Sequence, residues 1–384
     1  MGECERCGLA AASMPVRRVK GVEGRAAVER RDAEALAACF SRSVASVRHC
    51  NPCSATTFAD EMQKHHTHLV NRAIWVAEDE HSECIGFIEV AVMACDLPPA
   101  EPPLAQGDGV IRFLALDRGH RRVGEDLLDH AEAYLQGFGV ERVVAFSSST
   151  TYPFYLLDSA GLSSTQVHVS GLLGLRGYEN TAEDTNEAYL DWVDFDVAAL
   201  PAPPTPEQHI SFRVDLDDTG PGRLPSATVW AISDEDGSEL GQCECVNACN
   251  WVDHPKADSS CQDWFFVTHM GVPPIFTDEH QYQGKGVGLL LLGEALRCMR
   301  EIGYRHSCIS TDRGNNRALL FYSNFGYETV EWTHSYTLAS LDERKLVLQA
   351  SSWTVQGKHA TCSSLAMLVY WLRRTCAVCV MMWL

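Results

Sequence analysis

An α/β protein of the α+β, mixed-sheet kind, built as two related domains, is predicted by three features of the sequence. Strand-like and helix-like apolar patterns alternate along it, a proline-rich stretch interrupts it near the middle, and the same order of elements recurs on either side. The interruption is Leu-Pro-Ala-Pro-Pro-Thr-Pro at 200–206, a composition that neither a helix nor a strand interior tolerates. At 384 residues the chain is long enough for each part to bury its own core. The predicted boundaries are 15–199 for the first domain, 200–207 for the linker, 208–340 for the second domain and 341–384 for a tail.

In the first domain, 16–20 reads as a strand and 31–43 as an amphipathic helix. A hairpin follows over 74–78 and 84–92, then a strand over 109–116, a helix over 127–138 and a strand over 140–147. In the second, 228–233 and 239–247 read as a hairpin around Asp234-Glu235-Asp236-Gly237, and 264–272 as a strand. A helix is predicted over 289–302, closed by Gly303, followed by strands over 306–311 and 332–338. Little room remains ahead of Thr228 for further helices.

The hydrophobic share of 46% and charged share of 21% are those of a globular chain. A formal net charge of −20, from 51 acidic and 31 basic side chains, disfavours a sequence-independent grip on nucleic acid. It favours a cationic partner mildly and solubility more. No membrane association is expected, because the apolar run at the end is interrupted by Arg373 and Arg374 and falls short of the ~18–20 residues of a spanning helix. Met1-Gly2 does not read as a myristoylation signal, since Arg6 stands where Ser or Thr is preferred. Sixteen cysteines without a basic-then-apolar leader read as reduced thiols of a cytoplasmic protein. Cys4-x-x-Cys7 and Cys376-x-x-Cys379 have zinc-like spacing but lie at opposite ends, and no metal ligand is assigned. Cys243, Cys245 and Cys249 lie in or near a predicted strand and alternate like core residues, and His65, His66 and His68 read as solvated residues of a polar, helix-like stretch.

The densest signal is Gln283-Gly284-Lys285-Gly286-Val287-Gly288, which opens directly into the helical pattern. Alternate glycines let the backbone approach a ligand closely, and the N–H groups at a helix start favour an anion, so the segment suits a pyrophosphate. A Walker loop is excluded because Lys285 is followed by Gly286 rather than a hydroxyl residue. A Rossmann loop is disfavoured because the third glycine comes one position early.

Downstream stand Asn315, Ala318, Tyr322, Gly326 and Tyr327. Together with Gln283, Gly286 and Gly288, this order resembles the GNAT N-acetyltransferase superfamily. There, Gln/Arg-x-x-Gly-x-Gly/Ala is followed by a helix carrying Asn-x-x-Ala-x-x-x-Tyr-x-x-x-Gly-Phe. The resemblance implies two GNAT-like acyl-CoA acyltransferase domains in tandem, with acetyl-CoA as co-substrate and a small-molecule or peptide amine as acceptor. Residues Gln283, Gly284, Lys285, Gly286, Val287 and Gly288 would hold the cofactor's pyrophosphate. The backbone at Met270, Gly271 and Val272 would face the carbonyl oxygen, and Asn315 would fix the cofactor arm or the helix start. Tyr322 would be the general acid. The base is drawn from Asp263, His269 and Glu244, with His269 named. The alternative is a non-catalytic acyl-CoA-binding or scaffold protein that keeps the fold.

Arg121-Arg122-Val123-Gly124-Glu125-Asp126 in the first domain reads as a worn copy of the loop. Matching Arg121 and Gly124 to Gln283 and Gly286 sets Asp126 at the position of Gly288, and Leu173 falls at that of Tyr322. The first domain is therefore expected to be degenerate and to shape the acceptor cleft. Between Pro274 and Gln281 the second domain carries an insertion, 275–280, that could be a lid or a longer surface loop.

Overall fold

The computed structural model describes residues 15–22, 29–50, 52–96, 104–157, 161–181, 186–202, 209–217, 224–248, 263–272 and 286–341. The first half forms β1 (Val16–Arg18), α1 (Arg30–Ser43), α2 (Ala55–Gln63), β2 (Leu69–Glu78), β3 (Cys84–Met93), β4 (Gly109–Leu116), α3 (Arg121–Gln136), β5 (Val143–Ala145), β6 (Leu162–Ser163), α4 (Val167–Leu175), β7 (Glu179–Asn180) and β8 (Glu187–Trp192). The second forms β9 (Ile210–Asp217), β10 (Ser226–Ser233), β11 (Glu239–Asn247), β12 (Trp264–Gly271), α5 (Val287–Ile302), β13 (His306–Asp312), α6 (Asn316–Phe325), β14 (Glu328–His334) and β15 (Tyr336–Leu338).

Two mixed sheets result, in the orders β1-β2-β3-β4-β5-β15-β7 and β6-β14-β8-β13-β12-β11-β10-β9. Each takes strands from the other half of the chain: the second sheet takes β6 and β8, the first takes β15. β8 pairs with β13 and β14 in the second sheet, while β15 pairs with β5 and β7 in the first. The expected single strand over 332–338 is thus two strands in different sheets. The chain crosses at Ser335, whose N–H donates to Asn186 Oδ1 (3.1 Å) and whose hydroxyl donates to the Phe146 carbonyl (2.8 Å). Asn186 lies where the first half crosses the other way, between β7 and β8. The two crossings are therefore tied to each other, and a cut in the proline-rich stretch would leave each sheet short of a central strand.

Helix placement follows the apolar spacing. α3 buries Val123, Leu127, Leu128, Ala131 and Leu135, and α5 buries Val287, Leu291, Leu292, Ala295 and Met299, each a single stripe facing a sheet. As expected, α5 stops at Gly303, where the N–H groups of Gly303 and Tyr304 both return to the Met299 carbonyl. Ahead of β10 the described residues hold the edge strand β9, which sequence reading missed because its alternation is mostly solvent-facing. The histidines 65, 66 and 68 lie just beyond α2 rather than in a helix. His65 is exposed, but His66 Nε2 sits 3.0 Å from Glu61 Oε1 and is not simply solvated. Cys243 and Cys245 are buried core residues, as their alternation implied, and Cys249 lies outside the described residues.

Candidate functional site

β12 and β13 run parallel and pair only from Trp264↔His306 to Val267↔Ile309. There β12 takes up an extra residue, because Cys245 opposes Val267 while Glu244 opposes His269, leaving Thr268 bulged. Beyond the bulge β12 stays with β11 through Cys243↔Met270 and Gln242↔Gly271 and leaves β13. The two strands open into a wedge. Its β12 wall is accessible: Thr268 and His269 are exposed, and Met270, Gly271 and Val272 are half-buried.

The start of α5 lies against this wall. Gly286 is its N-cap, with φ +83° and ψ 2°, a left-handed conformation that a side chain would strain. Gly286 offers no side chain to cap this end, and a helix start of this kind favours an anion. Gly288 sits where a Cβ would meet Met270 Cε at 3.4 Å, and Phe321 Cζ and Val272 Cγ2 at 3.9 Å. Strand end, helix start and α6 therefore meet around Gly288, which brings Met270 and Val272 beside Gly286, Val287 and Gly288. Gln283, Gly284 and Lys285, and the insertion 275–280, lie outside the described residues. Asn315 takes the second of its two expected roles, its Oδ1 accepting the Ala318 N–H at 3.1 Å as the cap of α6.

Tyr322 is 8% exposed on α6. Burial, with the Cys243 thiol nearby, pushes its phenol up to about 12, so it is protonated at neutral pH. Cys243 and its cross-strand partner Met270 face the helices. The next residue on β11, Glu244, and its partner His269 face the other way and are exposed. The wedge thus has a phenol on the helix side and an imidazole–carboxylate pair on the opposite face. Asp263 is not part of it. It precedes the other end of β12, where its carbonyl accepts the N–H groups of Arg305 and His306 at 3.0 Å.

The open face carries a row of directly opposed residues, Asp215, Thr228, Glu244 and His269, across β9 to β12. Beside it Trp230 donates to Asp215 Oδ2 at 3.1 Å, and the Arg213 guanidinium lies 5.0 Å from the Trp230 ring centre. The first half packs against the other end of this face. Phe266 and Cys308 belong to the first core, with Trp264 packed on it.

The first half repeats the wedge and fills it. β4 is bulged at Arg112, with Glu89 opposite Phe113 and Val90 opposite Ile111, and it leaves β5 after Ile111↔Ala145. Yet every residue of β4 is buried. Arg112 donates to Glu61 Oε1 and Glu89 Oε1, both at 2.8 Å, and to the Thr150 carbonyl at 2.7 Å. Phe113 stands at the position of His269 and packs on Phe146, Tyr152 and Tyr155 at 5.1–5.6 Å between ring centres.

The helix start corrects the sequence alignment by two residues. A Cβ on Gly124 would run into Leu172 Cδ2 (2.4 Å) and Leu116 Cδ2 (2.8 Å), the counterparts of Phe321 and Val272, so Gly124 occupies the place of Gly288, not of Gly286. The buried stripes of α3 and α5 coincide in the same register. Asp126 therefore does not face the anion position; its carboxylate lies 3.8 Å from Arg122 on the helix surface. Arg122 replaces the left-handed Gly286, and α3 begins at Arg121, so the helix covers what is a free turn in the second half. The sequence held this signal in the absence of a glycine at 122. Two surface recesses, one bordered by Glu61 and Phe154 and one by Arg42 and His168, belong to the first half and do not touch the second wedge.

No family model matches the sequence, and no curated protein matches it. Solved structures do resemble it. A tandem GNAT protein from the clavulanic acid biosynthesis pathway superposes over 84% of this chain and 98% of its own, with a TM-score of 0.52 and 12% identity. A GCN5-related N-acetyltransferase from Sphaerobacter thermophilus does so over 85% and 96%, at 0.51 and 14%. A GCN5-related glucosamine N-acetyltransferase region of a fungal multi-domain GH3 β-N-acetylglucosaminidase covers 85% of this chain and 38% of that one, at 0.54 and 14%. Two mixed sheets, each with a bulged strand splaying from its parallel neighbour at a helix start, define the architecture. The chain has the tandem GNAT fold.

Proposed function

We propose that the second half transfers an acetyl group from acetyl-CoA to an amine, and that the first half is a degenerate copy that completes the fold. The observation that supports this most is the contrast between the two wedges. One is open, begins its helix at a left-handed glycine and flanks the gap with Tyr322 and His269. The other is filled by Arg112, Phe113 and the leucines around Gly124. When bound, acetyl-CoA supplies a thioester carbonyl for attack. The N–H groups at 286–288, with the segment 283–285, hold its pyrophosphate, and the Gly286 turn leaves room for it. The backbone at 270–272, released from pairing with β13, turns N–H groups toward the carbonyl oxygen. His269, with Glu244 opposite, takes a proton from the acceptor's ammonium so that the neutral amine attacks, and Tyr322 gives its proton to the leaving thiolate.

The acceptor reaches the site over the open acidic row, which suits a cationic amine on a small molecule or peptide and not a nucleic acid. The nine described cysteines are all free thiols, which supports a reducing, cytoplasmic setting. No helix among the described residues is long and apolar enough to cross a membrane. A thiol-release assay with acetyl-CoA over amines, aminoglycosides, amino acids and peptides tests the reading. Acceptor-dependent release supports it. Tight acetyl-CoA binding without release for any acceptor would favour a binding or scaffold role.

A further inference from the structure

His49, Asp191 and Cys308 come together where the two halves meet, on the paired stretch of β13 that precedes the wedge. Asp191 on β8 and Cys308 on β13 are directly opposite each other across an antiparallel pair, so their side chains share one face. His49 reaches them from the connection between α1 and α2. Its backbone is left-handed, at φ +53°, an uncommon conformation for a non-glycine residue that aims the ring inward. Its Nε2 lies 2.6 Å from Asp191 Oδ1, and the three donor atoms, Nε2, a carboxylate oxygen and Sγ, all lie within 4.8 Å of one another. Asp191 and Cys308 are buried and His49 nearly so. The other carboxylate oxygen, Oδ2, accepts from Arg48 Nε at 3.0 Å. The edge of Trp264 lies against the His49 ring, 5.0 Å between centres.

We infer that His49, Asp191 and Cys308 bind a zinc ion that pins the first half to the exchanged strand β8 and to β13. Imidazole, carboxylate and thiolate are all zinc donors. A tetrahedral ion with bonds of about 2.0–2.3 Å holds its ligand atoms roughly 3–4 Å apart, so it replaces the 2.6 Å hydrogen bond between His49 and Asp191 and parts those two atoms slightly. Water supplies the fourth ligand. Arg48 on Oδ2 is the outer partner that fixes a ligating carboxylate. Binding releases the Cys308 thiol proton, and the proton between His49 Nε2 and Asp191 leaves or moves to Nδ1, so that the ion meets a thiolate and a bare imidazole nitrogen. Zinc with one thiolate and one carboxylate is neutral, so Arg48 meets no uncompensated dication.

The test uses the full chain, incubated with zinc chloride, freed of excess by gel filtration and assayed for metal, and separately reconstituted with cobalt(II) after chelation. Because other cysteines could take up metal, the comparison is with Cys308→Ala and His49→Gln, both small changes. The wild type is expected to retain about one zinc per chain more than either variant, and to show a thiolate-to-cobalt charge-transfer band that Cys308→Ala lacks. A chelator is expected to lower its Tm but not that of the variants. Equal metal content in wild type and Cys308→Ala, or a cobalt spectrum unchanged by that substitution, would overturn the assignment. So would folded variants whose Tm responds to chelator as the wild type does.

Discussion

Glu244 and His269 stand directly opposite each other on β11 and β12, one residue past the bulge at Thr268, and both are exposed beside the wedge. Under the proposed function, His269 would relay a proton from the acceptor amine. Truncating it to Ala should lower kcat/KM by about 100-fold, with part of the loss restored by added imidazole. Glu244→Gln should raise KM for the amine more than it lowers kcat. Full activity in His269→Ala would remove the residue from the mechanism.

Tyr322 is expected to act on the leaving thiolate alone. Removing the hydroxyl in Tyr322→Phe should cut kcat by about 100-fold or more while leaving acetyl-CoA affinity within about threefold. With the phenol held up at about 12, the wild-type rate should show no falling limb from this group at neutral to mildly alkaline pH. Its raised value also contributes stability that is present below the ordinary value of about 10 and is lost as pH rises from there toward 12. A falling limb near pH 8 that vanishes in Tyr322→Phe would contradict the assignment.

Glu89 is the counterpart of Glu244 in the filled wedge, fully buried among Arg72, Arg112 and Tyr152. Burial by itself would raise its carboxyl, but Arg112 and Arg72 outweigh that and hold it at about 2. The stability it contributes is complete above the unfolded value of about 4.3 and is lost as pH falls toward 2. Glu89→Gln leaves buried Arg72 with backbone carbonyls alone and Arg112 with Glu61 as its one carboxylate, and should cost about 3–5 kcal/mol in denaturant unfolding at pH 7. A cost below about 1 kcal/mol would show the network to be dispensable.

The exchange of β8 and β15 makes the halves interdependent. Residues 1–202 and 203–384 expressed apart should give no cooperative unfolding transition, whereas co-expression should yield a complex that co-purifies and melts as one. Two independently stable halves would contradict the topology.

Much of this was legible beforehand, because the buried stripes of α3 and α5 and the glycines at 286 and 288 express local rules of spacing and backbone freedom. The strand exchange was not. Trp332 to Leu338 reads as one alternating run, and Ser335 does not break it; only its pairing with Asn186 and Phe146, over a hundred residues away, turns the chain into another sheet. Edge strand β9 hid for a related reason, since Arg213 and Asp215 face solvent and leave little apolar pattern. The offset of Gly124 was invisible because both alignments put a glycine in place, and only its contacts with Leu116 and Leu172 distinguish them. The cluster of His49, Asp191 and Cys308 has no motif spacing at all. It exists because a loop and two strands meet.

The central claim is that only the second half holds acetyl-CoA, through the turn at Gly286. Calorimetric titration of acetyl-CoA into the wild type, Gly286→Asp and Arg122→Asp tests it most directly. Arg122 holds the corresponding position in the first half and is exposed, so its replacement should be structurally mild. The account predicts one site per chain, lost or weakened at least about 100-fold in Gly286→Asp by the carboxylate at the anion position, and unchanged in Arg122→Asp. Unaltered affinity in a folded Gly286→Asp protein, or loss only in Arg122→Asp, would contradict it.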